Sequence, residues 1–579
     1  MLFTLMKKAK EWLKGDLFWI LLVLAASVLA ILPFFRAGFY TFSDEPHIAN
    51  LYEMTRGFAA GQFPPRWAPD MSFNYGYPLF NFYYPLPFYL GALFHFICKT
   101  SLIWSLKLVF LLSVPLSGIV FYFLLRKFFR QQASFSGAIL YMFTPYRAVD
   151  LYVRGAVGEM WAFVLIPLVF LAFWNLMEKA RKQNLVFAAL SLAGLILAHN
   201  LTAIIIVPIL ITFCLVFSCL KDKPLRSMIW SIGGVLGGLS ISAFYWLPAI
   251  LEKKYIQSGT PFNPFDHFPF IKQLILPSWG YGASVWGPND QMSFQVGVVN
   301  LLVLVLSIAF IFIARKKMNK EKIFLGIFIL VLFGGSLFLM NIRSWFIWKA
   351  FPLGSYIQFP WRLLMLTTFS TAFLTGYLET LKNKTAARTL LVLVPFLAIL
   401  LTFNYFRPAK IMEVNDDYYL NRFFINRLSA GERSDLSRDY LNYSEDYLPL
   451  TIWTKKRPDS LPKEKIAIEP GVINYQAISP IKYLAEAKTS EPARVYFHNY
   501  YFPGWVATIG GRPAQIDIND PHGNMVVEVP AGTHQVLFVF AETPIRKAGN
   551  WLSLLSIIVC GLLCLRVNFS TRRVKTMVK

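Results

Sequence analysis

The sequence predicts a polytopic α-helical membrane protein, with about 12 transmembrane helices and a C-terminal extracytoplasmic β-rich module. Three observations predict it. Of 579 residues, 56% are hydrophobic and only 15% charged, at a mean hydropathy of +0.49. A soluble chain carries about a quarter charged residues. Apolar runs long enough to cross a hydrocarbon core of about 30 Å recur along the chain. Between residues 494 and 540 the pattern changes to alternating Val, Ile, Tyr and Phe with turn residues.

The apolar runs fall at 17–35, 104–125, 133–143, 159–176, 185–198, 201–219, 228–250, 296–314, 323–340, 361–378, 389–406 and 551–565. The first follows Lys7, Lys8, Lys10 and Lys14 but has no clear small-residue cleavage site, so it reads as an uncleaved first helix. Residues 85–98 are apolar yet too short to span comfortably, and read as a helix lying in the outer membrane surface. With both termini in the cytoplasm, every cytoplasmic segment is then basic. The clusters are Arg126/Lys127/Arg130, Lys179/Arg181/Lys182, Lys221/Lys223/Arg226, Arg315/Lys316/Lys317, Lys382/Lys384/Arg388 and the tail with Arg572, Arg573 and Lys575. This distribution accounts for the formal charge of +24 by orientation and argues against nucleic-acid binding.

Four longer segments face outward: 36–101, 144–158, 251–295 and 407–550. In the last, runs at 494–497, 506–509, 515–518, 526–529 and 535–540 read as strands of a sandwich, with Gly510-Gly511 as a hairpin turn. The domain division is 1–406 membrane domain, 407–548 β-rich domain, and 549–579 final helix with a basic tail. All five cysteines lie in or beside apolar segments, so the β-rich part holds no disulfide, and no Cys/His spacing resembles a zinc site.

The helix centres carry almost no ionisable residues, which places any chemistry at the outer ends and loops. Ser43-Asp44-Glu45-Pro46-His47 offers a general base or metal ligand, or else an ordinary helix N-cap. The aromatic run 73–89, after Arg66-Trp67, is either an interfacial belt or the wall of a sugar groove. Arg147, Asp150, Arg154 and Glu159 are either mutually paired, or arginines that meet a lipid phosphate beside a Glu159 that meets an acceptor or metal. His199-Asn200 sits at a helix hinge. Arg362, in Gln358-Phe359-Pro360-Trp361-Arg362, either snorkels or faces the same phosphate. His267 and Asp290 are weaker candidates, and Tyr500, Tyr501 and Trp505 either pack a core or stack on sugars.

The Ser43-Asp44-Glu45 motif followed by Gly61-x-x-Pro64-Pro65-Arg66-Trp67 resembles the first periplasmic loop of GT-C type glycosyltransferases. The chain is more closely similar to the bacterial membrane family labelled 6-pyruvoyl-tetrahydropterin synthase-related. Tyr75-Gly76-Tyr77-Pro78, Phe143-Thr144-Pro145-Tyr146-Arg147, Ala198-His199-Asn200, Gln358-Phe359-Pro360-Trp361-Arg362 and Tyr501-Phe502-Pro503-Gly504-Trp505 carry that likeness. The resemblance implies a GT-C-like membrane domain in the bacterial cytoplasmic membrane that moves a sugar from a polyprenyl-phosphate donor to an extracytoplasmic glycan, lipid or protein acceptor. It makes Asp44 the catalytic base, with Glu45 as its rival and Glu159 assisting. His47, Arg66, Arg147, Asp150, Arg154, His199 and Arg362 are the expected substrate-binding residues. A divalent cation, Mg or Mn, is the cofactor the resemblance leaves room for. The alternatives are a lipid or glycan transporter and a non-catalytic envelope scaffold.

Overall fold

In a bilayer the backbone has no water to bond, so an apolar run must close its hydrogen bonds on itself as a helix. The computed structural model describes residues 2–257, 263–351, 354–424, 451–456, 462 and 464–576. Among them, eight helices are long and apolar enough to span: Gly15–Phe35, Leu102–Arg126, Val157–Glu178, Asn200–Ser218, Val298–Lys317, Lys320–Leu339, Lys384–Tyr405 and Pro544–Leu565. Pro224–Ile241 and Ala243–Leu251 make a ninth if the pair, bent by 74°, is counted as one span.

The expected count of about 12 is therefore not reached. The segment read at 133–143 is Gln131–Met142, of 12 residues, and that at 185–198 is Lys182–Ala198, of 17. The segment at 361–378 is broken into a 3-10 turn Pro360–Leu363, an α-helix Leu364–Leu374 and a second 3-10 stretch Thr375–Thr380. Every residue from 360 to 378 is buried. A helix enclosed by protein can be short or broken, because its neighbours supply what lipid cannot. Hydropathy alone does not distinguish such a segment from a lipid-facing span. Within the bundle the contrast is wide: the apolar window of Val157–Glu178 is 83% buried, and that of Pro544–Leu565 is 11%. The first is the core of the bundle and the second its lipid-facing margin.

Strands β1 (Phe39–Tyr40) and β2 (Ile411–Met412) pair antiparallel and tie the first outer loop to the chain after Lys384–Tyr405. The β-rich region is a sandwich. Its strands are β3 (Ile466–Glu469), β4 (Val472–Ser479), β5 (Lys482–Thr489), β6 (Ala493–Tyr500), β7 (Trp505–Ile509), β8 (Arg512–Ala514), β9 (Asn524–Val529) and β10 (Gly532–Phe540). One sheet runs β4-β5-β10-β7-β8 and the other β3-β6-β9. Gly510 and Gly511, both at positive φ, turn β7 into β8, with Ile509 opposite Arg512. The strand expected at 515–518 does not form. Asp517 makes a single bridge to Val526, and its Oδ1 accepts from the Asn519 backbone at 3.0 Å, an Asx-type turn that competes with a ladder.

Trp67, Phe73 and Tyr75 of the first outer loop enter the sandwich core. Trp67 packs 5.4 Å from Trp505 and 5.1 Å from Phe540 between ring centres, and Tyr75 packs 5.4 Å from Tyr500. This part of the aromatic run is thus neither a membrane belt nor a sugar groove. It docks the sandwich on the membrane domain. Trp505 and Tyr500 are core residues, buried against the same cluster.

Candidate active site

The site begins with a short π-helical turn, Val149–Arg154, between Pro145–Ala148 and Val157–Glu178. Such turns displace the helix register and aim side chains a regular helix would not. Gly155 ends it at φ +67, where a side chain would also collide with Phe42. The first outer loop is stitched along this turn. The Ser43 backbone donates to Val153 O at 3.0 Å and Asp44 to Arg154 O at 2.9 Å. His47 Nε2 lies 2.9 Å from Gly155 O, and since a carbonyl only accepts, that nitrogen carries the proton. Burial also pushes the His47 pKa down, with Asp44 and the Gly155 bond acting the other way.

Asp44 thereby sits on the wall of a polar cavity of about 370 Å³. His47, Tyr83, Tyr84, Arg154, Glu159, His199, Gln358, Trp361 and Arg362 line the same space, with 282–284 of the third outer loop. Glu159, in the first turn of its helix, is held by Arg154 Nη2 at 2.9 Å, by Tyr146 Oη at 2.8 Å and by Arg362 Nε at 3.1 Å. The Arg362 contact is a charge pair only, because its N–H is not directed at the carboxylate. Arg154 also bonds Asp150 and stacks over Trp361, 4.8 Å from the ring centre. Burial opposes the Arg154 charge, yet Glu159, Asp150 and Tyr146 together hold its pKa well above the ordinary value. Burial pushes Asp150 the other way, well above the usual carboxylate range, and the Glu159 charge adds to it. Arg362 Nη1 donates to Ile357 O at 2.8 Å and to Gln358 Oε1 at 3.0 Å. Gln358 is itself held at φ +65, a strained conformation for a non-glycine residue.

His199 Nδ1 accepts from the Thr202 backbone N–H at 3.3 Å and lies 2.7 Å from Thr202 Oγ1, so in the neutral ring Nε2 bears the proton, and the residue lines the cavity. Burial pushes this imidazole down to about 3, against the pull of Glu159, which keeps it neutral. His199 is therefore both the hinge cap of Asn200–Ser218 and a cavity residue. Asp44 differs from all of these. The helix His47–Ala59 has no side-chain cap, which removes the capping role for Ser43 or Asp44. The Asp44 carboxylate has no ion pair or hydrogen bond among the described residues, although it lines the cavity.

The cavity thus unites Asp44, His47, Arg154, Glu159, His199 and Arg362. The other expected residues lie elsewhere. Glu45 turns away to Arg422 at 2.9 Å. Arg147 is buried against the Phe163 ring and Ser117 Oγ, and burial pushes its pKa down to about 10. Asp150 lies behind Arg154 and does not reach the cavity. Arg66 belongs to a separate cluster, with Asn550 at 3.0 Å and Glu542 at 3.5 Å. His267 touches the wall through Ser284 at 2.9 Å, and Asp290 braces a loop through the Val285 backbone at 2.8 Å. Tyr84, Tyr146 and Trp361 are site residues the sequence offered only as parts of motifs.

A divalent cation would find a poor donor set. Hard cations take six or more oxygens, largely carboxylate. Here Glu159 is neutralised by two guanidiniums, and among the described residues no three His, Cys, Asp or Glu side chains stand close enough to hold a metal ion. Beside the polar cavity lies an apolar groove of about 440 Å³, lined by Ile204, Ile205, Pro208, Leu332, Trp348, Ile357 and Leu363 among others. The two spaces meet along the chain at Ile357-Gln358 and Arg362-Leu363.

Residues 80–408 match the family described as 6-pyruvoyl-tetrahydropterin synthase related domain, membrane protein, and the chain belongs to that family. An uncharacterized protein of Lactococcus lactis subsp. cremoris is 27% identical over 329 residues, covering 54% of this chain. The chain spans about half, 52%, of that relative's length. Among solved structures, an arabinofuranosyltransferase from Mycobacteria aligns with a TM-score of 0.46 at 12% identity, over 70% of this chain and 28% of the other. The Archaeoglobus fulgidus oligosaccharyltransferase in its apo form aligns with a TM-score of 0.44 at 14% identity, over 78% and 61%. At TM-scores below 0.5, neither likeness bears on the chemistry of the site.

Proposed function

We propose that this family member is a membrane glycosyltransferase that moves a sugar from a polyprenyl-phosphate donor to an acceptor at the outer face, with both termini in the cytoplasm. The observation that carries the reading is the state of Asp44. It is the cavity carboxylate with no partner among the described residues, facing a Glu159 already held by arginines. A carboxylate that no protein group occupies is free to meet the hydroxyl of a bound acceptor, which is the geometry a general base needs.

In this reading the acceptor hydroxyl lies against Asp44. Its oxygen attacks the anomeric carbon as the carboxylate takes the hydroxyl proton. The bond from that carbon to the phosphate oxygen breaks, and polyprenyl phosphate leaves with the electron pair. Arg362 and Arg154 set the positive potential that receives the growing phosphate charge, and His199 Nε2–H supplies a neutral donor. Glu159 is a positioning residue that keeps both arginines at the wall. The adjoining apolar groove supports a lipid-borne donor, since the prenyl chain would lie there while the phosphate stays in the polar cavity.

The test uses the full chain in nanodiscs with polyprenyl-phosphate sugars and envelope glycans, following release of polyprenyl phosphate. Asp44→Asn is expected to lose about 10²–10⁴ of the rate with an unchanged melting temperature. Full activity in that variant would remove Asp44 as base. Donor-independent lipid movement in proteoliposomes, without transfer, would replace the reading by a transporter.

A further inference from the structure

A second cavity lies at the opposite end of the bundle. The helix Val298–Ala314 follows the third outer loop and leads to Arg315–Lys317, and its 17 residues separate its own two ends by about 26 Å. At that basic end a cavity of about 580 Å³ opens between this helix, the start of Lys320–Leu339 and the segment 380–384. Lys317, Lys322, Lys382 and Lys384 line its mouth, and Phe310 and Ile313 its back.

Three features separate this cavity from a solvated cluster of lysines. Two helix N-termini converge on it. Asn319 caps one, accepting from Lys322 N at 2.9 Å, and Asn383 caps the other, accepting from Ala386 N at 3.1 Å. The positive ends of both helices therefore add to the lysine charge. Of the nearby carboxylates, Glu321 is committed elsewhere, and Glu379 offsets only Lys322 of the four lysines. Glu321 pairs with Lys221 at 2.7 Å, and Glu379 accepts from Arg130 N at 2.9 Å while standing 3.6 Å from Lys322. Lys317 and Lys382 have no carboxylate partner among the described residues. Finally, the back wall continues onto a lipid-facing surface, since Val305, Phe312 and Ile313 are exposed on the same helix. Anionic charge is wanted at the mouth and hydrocarbon at the back.

We propose that this cavity is a binding site for an anionic glycerophospholipid of the leaflet at the basic end, with the phosphate among Lys317, Lys382 and Lys384 and an acyl chain along Phe310 and Ile313. Basic pockets between membrane helices recognise such head groups by charge. The site is independent of the outer chemistry. By bridging Val298–Ala314, Lys320–Leu339 and Lys384–Thr402, its occupant would clamp three spans at their basic ends.

The experiment is native mass spectrometry of the full chain released from nanodiscs containing phosphatidylglycerol or phosphatidylcholine. Phosphatidylglycerol should be retained under delipidation that strips phosphatidylcholine. K317Q/K382Q should lower its retention at least about tenfold without changing that of phosphatidylcholine, and K317R/K382R should keep it. Equal retention of the two lipids, or wild-type retention by K317Q/K382Q, would overturn the proposal. Displacement of the lipid by soluble glycerol 3-phosphate at similar concentration would also overturn it, by assigning the pocket to a free phosphate.

Discussion

Two buried clusters of arginine and glutamate among the described residues use the same chemistry for different ends. In the outer cavity, Glu159 is gripped by Arg154 and Arg362. Some distance along the chain, Glu252 is gripped by Arg546 Nε at 2.9 Å, Thr543 Oγ1 at 2.6 Å and Asn81 Nδ2 at 2.8 Å, with Arg66 joining through Asn81 and Asn550. The second cluster opens on no cavity described above. It ties the first outer loop, the end of Ala243–Leu251, the sandwich through Pro503 O and the last helix into one knot. A buried ion cluster is therefore not in itself a site. What makes the first a candidate site is the open space beside it and an Asp44 on the same wall that has no partner among the described residues.

The comparison can be broken or sharpened by experiment. Asp44→Asn should give the largest functional loss, by the two to four orders of magnitude stated above, with no loss of stability. Glu252→Ala should do the reverse. It strands a buried guanidinium, so it should cost about 3–5 kcal/mol in the unfolding free energy, read as a lower denaturant midpoint in detergent. If Glu159→Ala destabilised as much as Glu252→Ala, the distinction between an open and a closed cluster would fail, because cavity water should solvate the arginines Glu159 leaves behind.

Smaller effects follow. His199→Phe should lower the rate about tenfold by removing one neutral donor. Because burial holds this imidazole near 3, the pH–rate profile between about 5 and 8 should carry no limb that His199→Phe removes.

The seam between sandwich and membrane domain carries a pH signal of its own. Lys465, buried against Asn74 O and Asn499 Oδ1, is pushed down to about 7 by burial. Below that pH the lysine is charged in both folded and unfolded chains. From about 7 up to its ordinary value of 10.5 the unfolded chain binds more protons, so stability rises with pH over that window. Melting temperature should climb from pH 7 to 9 in the native protein, and the Lys465→Met variant should flatten that climb. The smallest effect is expected of metal removal. EDTA should leave transfer unchanged, and a loss restored by Mg or Mn would overturn the reading of the donor set.

Much of this was legible in the sequence, because apolar length and charge placement act locally. Each long run forms its own helix whatever its neighbours do, and alternation in the sandwich strands set which face is buried. The same local logic brought Asp44, Arg154 and Glu159 forward, since each sits at the outer end of an apolar run. It failed where the neighbour decides. Residues 361–378 look like a span and are instead a broken, enclosed segment. Phe73 and Tyr75 look like part of a membrane belt or a sugar groove and are instead, with Trp67, part of the sandwich core. Arg66 and Glu252, far apart in the chain, meet one ion cluster that no spacing could announce.

The sequence by itself determined that this chain crosses a membrane, that its candidate site residues gather at one end of the helices, and that a β-rich module follows. These depend on how each segment meets its solvent. Only the tertiary structure decided which of Asp44 and Glu45 faces the cavity, and which arginines serve the site and which the knot. Adjacent residues in a loop can face different ways, and a charge is defined by the partner that reaches it. Pairing across more than a hundred residues is a property of the packed chain, not of any stretch of it.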